Sequence, residues 1–98
     1  MAVAEISVVP VGTGSASISD YVARAFTIVK ASGLKYELSS MATNLEGDLP
    51  TIMKVVSEIH ESAFEQGAVR VLTSLKIDDR RDKPLTMDGK KSAVMKKT

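Results

Sequence analysis

Leu34-Lys35-Tyr36-Glu37-Leu38-Ser39-Ser40-Met41-Ala42-Thr43-Asn44-Leu45-Glu46-Gly47 is the stretch whose reading decides the fold. Apolar residues recur at every second position on both sides of a serine pair, which is the period of extended chain. Leu34, Tyr36 and Leu38 fall on one face of a first strand. Met41, Thr43 and Leu45 fall on one face of a second, opposite Ala42, Asn44 and Glu46, with Ser39-Ser40 as the turn. A hairpin at this point places two consecutive strands between two helical segments, which separates a split βαβ plan from a simple alternation of strand and helix.

Upstream, Val3 to Val11 alternates as a strand, with Ala4, Ile6 and Val8 on one face and Glu5, Ser7 and Val9 on the other; Pro10, Gly12 and Gly14 end it. Ser17 with Asp20 three residues later has the form of a capping box, and Val22, Ala25, Phe26 and Val29 follow at the spacing of one buried helical face, stopped by Gly33. Downstream, Asp48 is a good N-cap and Pro50 suits a first turn. Ile52, Val55, Val56, Ile59 and Ala63 make the clearest helical stripe in the chain, and Gly67 terminates it. Ala68 to Ile77 alternates again as a last strand. The expected fold is therefore α+β and ferredoxin-like: βαββαβ, a four-stranded antiparallel sheet with two helices on one face. Residues 1–83 form this domain, and residues 84–98 are a basic C-terminal segment with room for a short helix near Ser92 to Lys97.

The second face of such a sheet carries Val9, Val11, Ala42 and Leu72 beside Glu5, Ser7, Asn44, Glu46, Ser74 and Lys76. It is too apolar for a fully wet surface and too polar for a dry core, so a second copy packed on it is expected, giving a homo-oligomer. The length agrees with this, since 98 residues without cysteine bury a small core with no disulfide to support it.

Composition removes several classes of function. The absence of cysteine excludes thiolate zinc sites and cysteine nucleophiles, and a single histidine, His60, excludes a histidine-rich metal cluster. No apolar run approaches the ~20 residues that span a bilayer, and a cytoplasmic location is the expectation. Gly12-Thr13-Gly14 precedes a helix but lacks the Gly-Lys-Ser/Thr of a phosphate loop. RNA-binding sheets of this topology need exposed aromatics on the central strands, and Tyr36 is the one strand aromatic here, so no nucleic-acid partner is expected. The net charge of +1 divides unevenly: residues 1–75 hold five Lys or Arg against eight Asp or Glu, and residues 76–98 hold eight against four. The Asp78-Asp79-Arg80-Arg81-Asp82-Lys83 run reads either as an ion-pair network, serving a turn or subunit contacts, or as a clamp for phosphate or a partner chain. Glu46 reads either as a carboxylate that recognises a cationic, amide-rich small molecule together with Thr43, Asn44 and the Tyr36 hydroxyl, or as half of an inter-subunit salt bridge.

Three segments carry a family resemblance: Ala4-Glu5-Ile6-Ser7-Val8-Val9-Pro10-Val11-Gly12-Thr13-Gly14, Tyr36 through Gly47, and Leu75-Lys76-Ile77-Asp78-Asp79-Arg80-Arg81-Asp82-Lys83. In order and separation they resemble the small thiamine-binding protein family, whose members share a ferredoxin-like fold and assemble as dimers or tetramers. The resemblance implies a non-enzymatic binder of thiamine or its hydroxymethylpyrimidine portion, acting as carrier, buffer or sensor, with no cofactor and no metal. It supports Thr43 and Glu46 by position, with Tyr36, Asn44 and Ser7 as further ligand-binding candidates. Ala42 stands where the family usually has glycine, and Asn44 where an apolar residue is usual. The alternative is a structural or regulatory assembly module without a small-molecule ligand.

Overall fold

The computed structural model describes residues 1–14 and 18–98. Its elements run β1 (Ala2–Pro10), α1 (Ser19–Ala31), β2 (Lys35–Leu38), β3 (Thr43–Gly47), α2 (Leu49–Glu65), β4 (Val71–Asp79) and α3 (Met87–Met95). The strands form one sheet in the order β2-β3-β1-β4, every neighbouring pair antiparallel, which is the ferredoxin-like arrangement the hairpin implied. Register assigns the faces: Ala4 lies opposite Leu45 and Ile77, Ile6 opposite Thr43 and Leu75, and Tyr36 opposite Leu45, so these side chains share the face under α1 and α2. The core is Ala2, Ala4 and Ile6 of β1, Leu45 of β3, Val29 of α1, and Ile52, Val55, Val56 and Ile59 of α2.

α2 forms as its sequence dictates. Asp48 has extended backbone and accepts a hydrogen bond from the Thr51 amide at 3.1 Å, which satisfies one of the first-turn donors that a helix leaves unpaired. The expected capping box of α1 does not form: the helix starts at Ser19, with Ile18 at the N-cap and no side-chain hydrogen bond there. That start puts Asp20 one position too early to reach back as the third helical residue should. Ser17 itself lies outside the described residues.

Two further boundaries differ from expectation. β4 begins at Val71 rather than Ala68 because the Ala68 amide donates to the Ala63 carbonyl at 3.1 Å, closing the end of α2 instead of joining the sheet. It then continues to Asp79, which pairs opposite Ala2. The C-terminal helix starts at Met87, ahead of the expected Ser92, because Thr86 caps it by accepting from the Gly89 amide at 2.9 Å. α3 then lies on the sheet face that was expected to be left for a partner, at the end carrying Lys35, Glu37, Glu46 and Asp78. It is tied down by Lys35 with Asp88 (2.6 Å), Lys91 with Glu37 (2.6 Å) and Lys90 with Asp78 (2.5 Å).

The Asp88 carboxyl is held below its ordinary value of 3.8, first by the hydrogen bond from Lys35 and then by that ammonium's charge. A carboxyl depressed in the folded state contributes stability above its unfolded value and loses it as pH falls through the folded one. Amide chemical shifts of α3 should therefore move toward random-coil values as pH drops below 3.8, and the Asp88→Asn variant should show a smaller acid-dependent change.

Candidate functional site

Register separates the residues that the sequence put forward. Tyr36 and Thr43 lie on the face under the helices, whereas Ser7, Asn44 and Glu46 belong to the opposite face, where Asn44 pairs across from Glu5 and Glu37, and Glu46 across from Val3 and Lys35. The five do not converge on one cavity. Tyr36 packs edge-to-face against Phe26 with ring centroids 5.3 Å apart. Glu46 is 7% exposed, and its carboxylate accepts a hydrogen bond from the Met87 amide at 2.7 Å, at the N-terminus of α3. There the carboxylate satisfies an unpaired donor and complements the helix dipole. No local pattern signals this partner, which lies 41 residues away.

The position of Glu46 makes it a fastener for α3. Glu46→Ala leaves the Met87 amide without its partner and should cost about 1–3 kcal/mol. Thermal unfolding would measure the loss, and trypsin should cut faster at Lys90 and Lys91. Unchanged stability and unchanged cleavage would show that the hydrogen bond does not hold the helix.

A cavity of about 330 Å³ forms at the other end of the sheet, and its cause is a mismatch in strand length. β1 continues to Pro10, but its pairing with β3 stops at Ile6 opposite Thr43, while β4 accompanies β1 all the way. Between Ser7–Val9 and the turn Leu38–Ala42 the sheet has a slot. Val22, Ala25 and Val29 of α1 and Ile59 of α2 line its helix side, and Ile18 lies at the first turn of α1. The turn is rigidified by Ser39, whose amide (2.9 Å) and hydroxyl (2.7 Å) both donate to the Ala42 carbonyl. Because β3 ends early, the slot reaches residues from both faces of β1. Ser7 and Thr43, on opposite faces by register, thus line the same cavity.

The chemistry of the slot is that of a neutral recognition site. Its walls are mostly aliphatic, and among the described residues no charged one lines it. Successive residues of a strand direct their amide and carbonyl groups to opposite sides. Within Ser7–Val9, β1 therefore turns at least one amide and one carbonyl toward a gap that no strand fills. The Ser7, Ser40 and Thr43 hydroxyls add donors and acceptors that are not used by other described residues. Such a site offers apolar walls with a few fixed polar groups, the usual composition of a small-ligand pocket. Among the described residues no cluster of His, Asp or Glu could hold a metal ion.

His60 is half-buried, its Nδ1 lying 2.6 Å from the Thr73 hydroxyl and its ring against Phe64, which accounts for it as a packing residue between α2 and β4. In the charged run, Arg80 pairs with Asp82 and Arg81 with Asp79 within the chain. A larger groove of about 780 Å³ lies between this run and α3, but Arg80 and Lys90 in its wall already face carboxylates.

A family profile described as "Thiamine-binding protein" matches residues 4–95. The UPF0045 protein YqgV of Bacillus subtilis is 42% identical over 100 residues, spanning 98% of this chain and 96% of that protein. A UPF0045 protein of Methanothermobacter thermautotrophicus is 44% identical, spanning 99% of both. Among solved structures, the hypothetical protein MJ1052 of Methanocaldococcus jannaschii superposes with a TM-score of 0.89 at 42% identity, over 96% of this chain and 95% of that one. A Thermotoga maritima protein provisionally described as a thiamine biosynthesis/salvage protein does so with a TM-score of 0.78 at 31% identity, over 95% and 97%.

Proposed function

The chain belongs to the thiamine-binding protein family, and from that premise we propose that it is a non-enzymatic binder of thiamine or its hydroxymethylpyrimidine portion, with the slot between β1 and the β2–β3 turn as its site. The observation that carries this reading is the slot itself: an uncharged, mostly aliphatic cavity of about 330 Å³ in which a strand edge and the Ser7, Ser40 and Thr43 hydroxyls provide the polar groups. A planar ring with an amino donor and ring-nitrogen acceptors is complementary to that arrangement. Among its described lining residues the slot offers no paired acid and base for a proton transfer, and we read its role as that of a carrier, buffer or sensor.

Within this reading Thr43 and Ser7 contact the ligand, whereas Glu46 serves α3, and Tyr36 and Asn44 stand outside the cavity. Calorimetric titration with thiamine and with hydroxymethylpyrimidine tests the function. No heat at millimolar ligand would discard it. Thr43→Val, which keeps the shape and removes the hydroxyl, tests the site. A weakening of about 0.5–1.5 kcal/mol supports it, and unchanged affinity removes Thr43 from it.

A second reading, self-association, is favoured by one observation. Val9 (39% exposed) and Leu72 (63% exposed) pair across β1 and β4 on the sheet face that α3 covers only at its other end. A second copy seated there would bury both side chains. Light scattering on Leu72→Asp should then report a smaller particle than the parent chain; equal masses would argue against this face as the contact.

A further inference from the structure

We infer that α3 is a strap opened by ionic strength: it leaves the sheet as a unit while the sheet, α1 and α2 stay folded, and its departure bares a row of side chains that crosses all four strands. The ligand slot lies at the other end of the sheet, so the inference stands apart from the proposed function.

α3 has little of what keeps a helix in place. Isolated helices under ~12–15 residues are marginal in water, α3 has nine, and Gly89 in its first turn weakens it further. Burial does not make up the difference. Met87 is its one buried residue, Val94 and Met95 are 62% and 71% exposed, and the core cluster beneath α1 and α2 takes no residue from it. The helix can therefore leave with that core complete, as a separate unit of low stability.

Charge takes the place of apolar contact. Lys35, Glu46, Val3 and Asp78 stand in register as one row across β2, β3, β1 and β4. α3 grips that row at both edges of the sheet: Asp88 holds Lys35 of β2, Lys90 holds Asp78 of β4, and Lys91 adds Glu37 two positions along β2. These six side chains are 36–67% exposed, so the pairs are solvated and salt screens them. Between the edges, the buried Glu46 carboxylate accepts from the Met87 amide, and that contact is screened least. One buried hydrogen bond then stands against three ion pairs that weaken together.

The connection from β4 allows the movement. Arg80 pairs with Asp82 and Arg81 with Asp79, contacts that stay within the run and do not reach α3. Lys83 and Pro84 beyond them are exposed and form the hinge. Opening presents the Glu37, Glu46 and Asp78 carboxylates beside the Lys35 ammonium, and it frees Lys90 and Lys91 of α3. The closed strap is a cover over one end of the sheet face, and ionic strength sets how often that end is presented.

Hydrogen exchange of the backbone amides in the full chain, followed by NMR at neutral pH in ~0.02 M and ~0.5 M sodium chloride, tests this. An exposed pair favours the closed state by up to about fivefold. Screening three of them should speed exchange of the Lys90 to Met95 amides about tenfold, whereas Val55 and Ile59 of α2 should change by less than about twofold. Charge reversal separates ion pairing from other effects of salt. Lys91→Glu should speed α3 exchange about tenfold at the lower salt, and adding Glu37→Lys should return it to within about threefold of the parent chain.

Exchange of α3 that is indifferent to salt, whether slow or fast, would overturn the inference. So would α2 amides that accelerate in step with those of α3, because the helix would then open only as the whole chain unfolds. A Lys91→Glu chain that exchanges at the parental rate, or a doubly reversed chain as fast as Lys91→Glu alone, would overturn the ionic hold.

Discussion

Truncating Leu45 to alanine should lower the free energy of unfolding by about 2–5 kcal/mol, the range for deleting most of a buried leucine side chain from a packed core. Leu45 is fully buried at the centre of β3, opposite Ala4 on one side and Tyr36 on the other, beneath a core to which Ile52, Val55 and Ile59 of α2 contribute. Its small strand neighbours Ala2 and Ala4 cannot swing in to refill the cavity. In a domain whose total stability is of the order of 5–15 kcal/mol, such a loss is a large fraction. Urea titration followed by circular dichroism measures it, and the midpoint should fall with the slope unchanged. A loss under about 1 kcal/mol would mean that the core beneath α2 collapses freely around the deletion.

Ala42→Phe should weaken ligand binding at least about tenfold, or about 1.4 kcal/mol, without a comparable loss of stability. Ala42 is half-buried in the turn at the edge of the slot, and its contribution to the turn is its main chain, whose carbonyl accepts from Ser39. A phenyl ring added there competes with the ligand for the same space. Calorimetry with thiamine reads the affinity, and the thermal midpoint read beside it separates blockage from misfolding. Full-strength binding in a folded Ala42→Phe protein would move the site away from this slot.

The fold was legible because its signals are local. Period-two alternation around Ser39-Ser40, the stripe from Ile52 to Ala63, the Asp48 cap and the positive φ of Gly33 (+78°) each depend on residues a few positions apart. The boundaries that moved did so where a distant group competed: Ala68 gave its amide to α2, and β4 was prolonged to Asp79 by pairing with Ala2. α3 was displaced because it has almost no apolar stripe, with Met87 its one buried residue, so periodicity could not locate it.

The candidate site was less legible, and Glu46 shows why. A carboxylate on an inner strand looks the same in sequence whether it waits for a ligand or caps a helix that arrives 41 residues later. Thr43 and Ser7 share a cavity despite facing opposite ways, because β3 stops three residues short of Val9, and no periodicity within either strand reports where its neighbour ends.

By itself, the sequence determined the order and type of the core elements, the side of each strand that enters the core, and, through the missing cysteines and the single histidine, the kinds of chemistry that are closed to the chain. These follow from side-chain periodicity and composition, which act over a few residues. Only the tertiary structure decided that α3 folds back over Glu46, that Arg80 and Arg81 pair within the charged run while its Asp78 reaches Lys90 of α3, and that unequal strand lengths open a neutral slot beside β1. Those outcomes depend on which groups meet across the sheet, and a meeting between segments far apart in the chain leaves no periodic mark in either one.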